Sequence, residues 1–251
     1  MQKTTLLILS LLCLGFNAKG GEKDTFLASR VIVPHVHYTY QMPLGDMKDR
    51  FSDNSSVGVG LFYKSKSNWM VGLEYNALFG TKVIENDIFS NLMGNTGALI
   101  NTDGQFASVR LFERGFNAFA KVGKIFPFNL NQNSGLMVQF GVGALQHKIK
   151  MEFDEFTLPQ LAGDNYKGYD RLTNGMAIYN FVGYQHLDKK HRLDFYIGAD
   201  LTTGFTQNRR SWNWDTQEQD KTKRVDMLFG FKFGLLIPIY RKQLEDNMMF
   251  E

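Results

Sequence analysis

The chain has 251 residues, a formal net charge of +3, 22 phenylalanines, 10 tyrosines, 24 glycines and one cysteine. So small a charge offers nothing to nucleic acid, one cysteine rules out a disulfide framework, and the phenylalanine, tyrosine and glycine content favours sheet over helix. Beyond the first twenty residues no stretch is long and apolar enough for a membrane-spanning helix, so any passage through a bilayer has to be made by strands.

Residues 1–20 read as a secretory signal. Lys3 gives the positive start, Leu6 to Phe16 the apolar stretch, and Ala18-Lys19-Gly20 the small residues read by a signal peptidase, with cleavage expected after Gly20. The apolar run is about half the ~20 residues a spanning helix needs. Cys13 lies inside the signal and follows Leu12 rather than a small residue, so lipidation is not expected. The mature chain then has no thiol, which excludes a cysteine nucleophile and thiolate zinc sites, and its charge falls to about +1 with the loss of Lys3 and Lys19.

Residues 21–240 alternate in about eight runs. The first, Val31 to Pro43, sets Ile32, Val36, Tyr38 and Tyr40 against His35, His37, Thr39 and Gln41. The second, near Ser56 to Lys64, sets Val57, Val59, Leu61 and Tyr63 against Gly58, Gly60 and Phe62; the third, near Asn68 to Gly80, sets Trp69, Val71, Leu73, Tyr75 and Phe79 against Gly72, Glu74 and Asn76. The fourth is placed from about Gln105 to Phe126, with Lys121 opposite Ala120 and Val122, and the fifth near Ser134 to Lys150. Asn174 to Leu187, Arg192 to Phe205 and Arg224 to Tyr240 complete the set. Asn180 makes the sixth the least regular. In the last run Phe229, Phe231, Phe233 and Leu235 share a face, and Asp226, Gly230, Lys232 and Gly234 share the other.

Connections near Lys66-Ser67, Asn129 to Asn131 and Asp188 to Lys190 are short; Thr81 to Gly104, Met151 to Leu172 and Thr206 to Lys223 are long. Alternating tight turns and long loops characterise outer-membrane barrels. Alternation alone does not say which face is outward, and a soluble lipocalin-like barrel shares the strand count. The signal, the charges sharing faces with glycines, and the aromatic residues near run ends, including Tyr38, Trp69 and Tyr240, favour the lipid-embedded form. The expectation is an all-β, eight-stranded antiparallel up-and-down transmembrane barrel with long extracellular loops and periplasmic ends, residues 241–251 forming a periplasmic tail.

An eight-stranded barrel is only wide enough for its interior side chains. Glu74, Lys121, Asp200 and Lys232 would share that lumen and are expected to pair, since isolated buried charges are costly. Glu113 would stand near the outer end. His35 and His37 have a spacing compatible with a metal on a strand, but no carboxylate cluster accompanies them in sequence, so ordinary lumen histidines are the expectation. His147, Asp170 and Ser211 are the residues an outer-rim enzyme could use; no spacing ties them into a triad. No phosphate-cradling loop, paired-thiolate motif or calcium loop is present, so no cofactor, metal or catalysis is expected. In the loops, Arg209, Arg210, Trp212 and Trp214 combine residue types common at protein contacts. They suit protein partners, loop packing or lipopolysaccharide headgroups alike. Arg110, Arg114 and Arg209-Arg210 also suit anionic lipid phosphates.

The segments RLFERGF, KVGKIFP, NSGLMVQFG, GYDRLTNG, NRRSWNWDT and FGFKFGLLIPIYRK resemble a family of small outer-membrane β-barrel proteins of Bacteroidota. The resemblance covers most of the mature chain and implies location and fold more than activity. By analogy it implies an accessory or structural subunit of a larger machine such as the type IX secretion apparatus or the barrel-assembly complex. A lipid-modifying enzyme and a stand-alone barrel that binds a surface ligand are the alternatives.

Overall fold

The computed structural model describes residues 27–240 apart from 86, 95–96, 129–130, 155 and 189–191. The expected signal, 1–20, and tail, 241–251, lie outside the described residues. Eight long strands follow in order: β1 (Val31–Gly45), β2 (Asn54–Lys64), β3 (Trp69–Gly80), β4 (Arg110–Pro127), β5 (Gly135–Glu152), β6 (Thr173–His186), β7 (Phe195–Asn208) and β8 (Lys223–Leu236), with a two-residue continuation, β9 (Ile239–Tyr240). Each strand pairs antiparallel with the next, and β8 pairs with β1 from His35↔Leu236 to Gly45↔Asp226, closing the ring. The interruption between β8 and β9 falls at Ile237-Pro238, where proline has no N–H to give the ladder.

The alternating residues sort by side. Val57, Val59, Leu61, Val71, Leu73, Phe231 and Phe233 all face outward and are exposed, while Glu74, Lys121, Asp200 and Lys232 face inward and are buried. So large a continuous apolar exterior is incompatible with water as the surrounding solvent and is matched to hydrocarbon, which excludes the soluble-barrel alternative. At one end of the cylinder lie the short connections, at the other the long ones: 46–53, 81–109, 153–172 and 209–222.

Most strand ends shift by a residue or more from the sequence expectation, and the largest shifts at the loop ends are those of β4 and β7. β4 begins at Arg110 rather than Gln105, because Phe106 turns back to bridge Ile100. β7 begins at Phe195 and runs to Asn208, and Asp194 sits in the preceding turn, its carboxylate accepting the Asp188 N–H at 2.6 Å. Asp194 is therefore a turn residue rather than a strand charge. Tyr240, expected in an exposed girdle, is half-buried against the interior. The interior also differs from a wholly polar lumen. Its short-turn end is an apolar layer of Val33, Phe62, Met70, Ile125, Met137 and Phe181, all buried. Asn133 closes that end, accepting from the Lys64 ammonium at 2.8 Å and donating to the Leu27 carbonyl at 2.8 Å.

On the outward side of β6, Asn180 interrupts the apolar face. It lies midway along β6, registered between Phe140 and Leu201, and is exposed on the apolar face. Its amide makes no hydrogen bond among the described residues.

Candidate functional site

Above the apolar layer, Glu74 of β3 gathers charge from across the cylinder. The Lys121 ammonium of β4 stands 2.5 Å from its Oε1 and the Lys232 ammonium of β8 2.9 Å from the same atom. Lys232 also reaches Asp200 at 3.1 Å and donates to the Tyr179 hydroxyl at 2.8 Å. The four residues singled out in sequence thus meet in one cluster of two carboxylates and two ammonium groups, balanced in charge. Tyr179 completes it: its ring lies 3.5 Å from the Lys121 ammonium and 4.7 Å from that of Lys232, a cation–π contact on each. Inward parity on β6 marks Tyr179 as a lumen residue, but in the sequence that strand is made irregular by its outward neighbour, Asn180.

His35 and His37, inward neighbours on β1, approach the same carboxylate at 3.4 and 3.6 Å. The His37 Nε2 donates to the Asn76 carbonyl, and Asn76 donates to Glu74 at 3.1 Å and to Asn117 at 2.6 Å. The two imidazoles fit because β2 offers Gly58 and Gly60 opposite them; a Cβ at either would collide with the facing ring. His35, His37 and Glu74 bring possible ligand atoms within 4.8 Å of one another. A divalent cation there would face two ammonium groups already seated on the same carboxylate in a buried setting, so the donor set does not fit a metal. What this arrangement can do is fill the lumen and lock the strands that contribute to it.

Nearer the loops is a second tier. Asn54 donates to both oxygens of Glu113 at 3.0 and 2.9 Å. His147 and Asp226 approach at 2.8 Å, and Thr206 donates to the same Asp226 oxygen at 2.5 Å. Of the three residues an enzyme could have used, His147 is committed to Asp226, Asp170 to Arg210, and Ser211 is exposed in the last loop. No hydrogen bond joins them among the described residues.

Above this tier, an ion-pair chain draws one residue from each of the four loops. Arg50 donates to Glu85 at 2.7 Å, Arg171 donates to the other Glu85 oxygen at 2.8 Å, and Arg171 grips Asp215 with two bonds of 2.9 and 2.5 Å. Burial alone would raise the Glu85 carboxyl, but Arg50 and Arg171 overcome it and hold it below its ordinary value. Arg171 is held with φ 50, a left-handed backbone that costs a non-glycine residue about 1 kcal/mol. The clamp on Asp215 offsets that cost. A cavity of about 330 Å³ lies beside this chain, bordered by Arg50, Glu85, Arg171, Asp220 and Arg224.

The Arg209, Arg210, Trp212, Trp214 group divides. Arg210 turns inward onto buried Asp170 with bonds of 2.8 and 2.5 Å. Trp214 packs over Gly168 and edge-on to Tyr169 at 5.9 Å. Arg209 turns outward onto Asn174 of β6 at 2.5 Å, and Trp212 is exposed. Half of the group holds loop to loop, and half is surface.

No family model and no curated protein matches the chain. Among solved structures it is similar to Neisserial surface protein A, with 9% identity over 82% of this chain and 96% of that one and a TM-score of 0.43. Ail, the attachment invasion locus protein of Yersinia pestis, matches at 9% identity over 83% and 99% with a TM-score of 0.42. The outer membrane protein OprG from Pseudomonas aeruginosa matches at 10% over 85% and 98%, with a TM-score of 0.34. Likeness at this level assigns neither family nor function.

Proposed function

We propose that this chain is a non-enzymatic, non-conducting barrel of the bacterial outer membrane that serves as an accessory or structural subunit of a larger outer-membrane assembly. The N- and C-terminal ends lie on the periplasmic side and the four loops outside. The observation that carries the reading is Asn180. A lumen packed with its own ion pairs leaves the outer face and the loops as the working surfaces, and on that outer face an amide stands in the hydrocarbon zone without a partner. An amide left unsatisfied in lipid is costly, and a neighbouring protein that hydrogen-bonds it removes the cost. The resemblance to small barrels of Bacteroidota makes the type IX secretion and barrel-assembly machines the assemblies to test first.

The test is purification from detergent-solubilised membranes. Stoichiometric co-purification of another outer-membrane protein, lost in Asn180→Leu, is the expected result; a monodisperse monomer would sink the subunit reading. Heat-modifiable migration on a gel tests the barrel, and recovery in the soluble periplasmic fraction would refute its membrane placement. A second reading, a stand-alone surface binder, is favoured by the cavity between the loops, and it alone predicts a monomer whose ligand affinity falls on Arg50→Gln.

A further inference from the structure

At the loop end of β4 and β5 the outward positions change from apolar to basic within one pair. Ala118 faces Ala144 and Phe116 faces Gln146; the next outward pair is Arg114 facing Lys148, followed by Phe112 facing Lys150 and Arg110 facing Glu152. Like charges directly opposite each other destabilise an antiparallel pair. Lys150 is 3.0 Å from Glu152, whereas neither Arg114 nor Lys148 has a carboxylate partner among the described residues. Arg114 is nonetheless fixed in place, donating to the backbone carbonyls of Glu113 at 2.6 Å and Gly80 at 3.3 Å, with its guanidinium 5.2 Å from the Phe112 ring. Around the cylinder the same height continues through Gln146 and Asn174 to Arg209, which Asn174 orients from β6.

The patch is local. Beside β1 and β2 the rim carries acids instead, with Asp53 accepting from Tyr40 at 2.6 Å and Asp46 from the Val225 N–H at 2.7 Å. Phe116 lies two residues below Arg114, about 7 Å along the strand, so the basic pair stands just above the apolar band. A preorganised guanidinium opposite an ammonium, with no anion of the chain's own to separate them, is a seat for an anion. Its height selects one whose remainder is apolar.

We propose that Arg114 and Lys148, flanked by Arg110 and Arg209, bind the phosphate groups of an outer-leaflet lipid whose acyl chains lie along Phe116 and exposed Met176. The proposal rests on the outer-membrane placement given above but not on any protein partner.

The experiment uses the full mature chain folded in detergent micelles, with folding of every variant verified by heat-modifiable migration. Lipid retained per barrel is measured by native mass spectrometry with bisphosphorylated lipid A, with its dephosphorylated counterpart, and with inorganic pyrophosphate. One bisphosphorylated lipid per barrel is expected, with retention at least about tenfold weaker for the dephosphorylated lipid and for Arg114→Gln with Lys148→Gln. Lys66→Gln, in a short turn at the other end, should bind as the parent does. If the double variant does not fold, Lys148→Gln alone carries the test, because its side chain makes no hydrogen bond or ion pair among the described residues. Equal retention of the dephosphorylated lipid, or undiminished binding by the folded variant, would overturn the proposal. Pyrophosphate bound as tightly as the lipid would overturn the lipid assignment in favour of free phosphate. Loss of the heat-modifiable form in the parent chain would instead indict the barrel placement itself.

Discussion

Glu74 is the residue on which the middle of the molecule depends, because two ammonium groups share one of its oxygens. Glu74→Gln leaves Lys121 without a carboxylate in a buried setting, and removing one partner of a buried pair costs about 3–5 kcal/mol. Urea unfolding of the barrel in lipid vesicles should show a loss of that size. Adding Lys121→Met should recover much of it, since the orphaned charge is then gone as well. If the single variant lost less than about 1 kcal/mol, Asp200 would be balancing both lysines by itself and Glu74 would not be the hub. The parity of each strand made Glu74, Lys121, Asp200 and Lys232 legible as inward residues. That Lys232 of β8 meets Glu74 of β3, with β1 and β2 between them in the ring, was not, because neighbours across a lumen are set by strand tilt and register rather than by spacing in the chain.

At the scale of elements, strands and loops differ in how much the sequence discloses. Alternation located every long strand, yet the loop ends of β4 and β7 were misplaced: β4 starts only at Arg110, and Thr206, Gln207 and Asn208 continue β7 above the apolar band where alternation of polarity stops. The loop ion-pair chain was illegible for a different reason: Arg50, Glu85, Arg171 and Asp215 lie in four separate loops and have no common motif. That chain is expected to be acid-labile. Glu85 is held below its ordinary value, and Asp220, raised by burial but lowered more by Arg224 and Thr222, is brought down to about 2. Groups with lowered folded values contribute stability that is complete above the ordinary carboxylate range and lost as pH falls through the lowered values. The loops should therefore resist protease at pH 5 to 7 and become cleavable progressively from about pH 4 towards pH 2, which digestion with an acid protease measures. Loosening already at pH 6 would assign the order of the loops to something other than these carboxylates. Asp215→Asn should shift the onset upward and raise loop cleavage at pH 7 as well, because Arg171 then keeps its left-handed backbone without the clamp that offsets it.

For the whole molecule, the lumen is closed three times: by Asn133 and the apolar layer at the short-turn end, by the Glu74 cluster in the middle, and by the four-loop ion-pair chain. Planar-bilayer recordings should show no steady conductance, and Glu74→Gln should not open one, because Phe119, Tyr179 and Tyr196 still occupy the section. A stable ion-selective channel in the parent chain would contradict the plugged interior.

The seam between β1 and β8 joins residues on the order of two hundred positions apart, such as Tyr40 and Phe231, and so long-range a pairing is paid for in loop entropy before any of it is returned. While β8 is missing, β1 and β7 are open edges carrying an apolar side, the arrangement that recruits another chain in place of the proper one. The cylinder therefore cannot grow by stable stages from its first strand. A chain ended before Lys223 should aggregate rather than form a seven-stranded remnant, and in the cell the earlier strands need their edges covered until the last one is delivered.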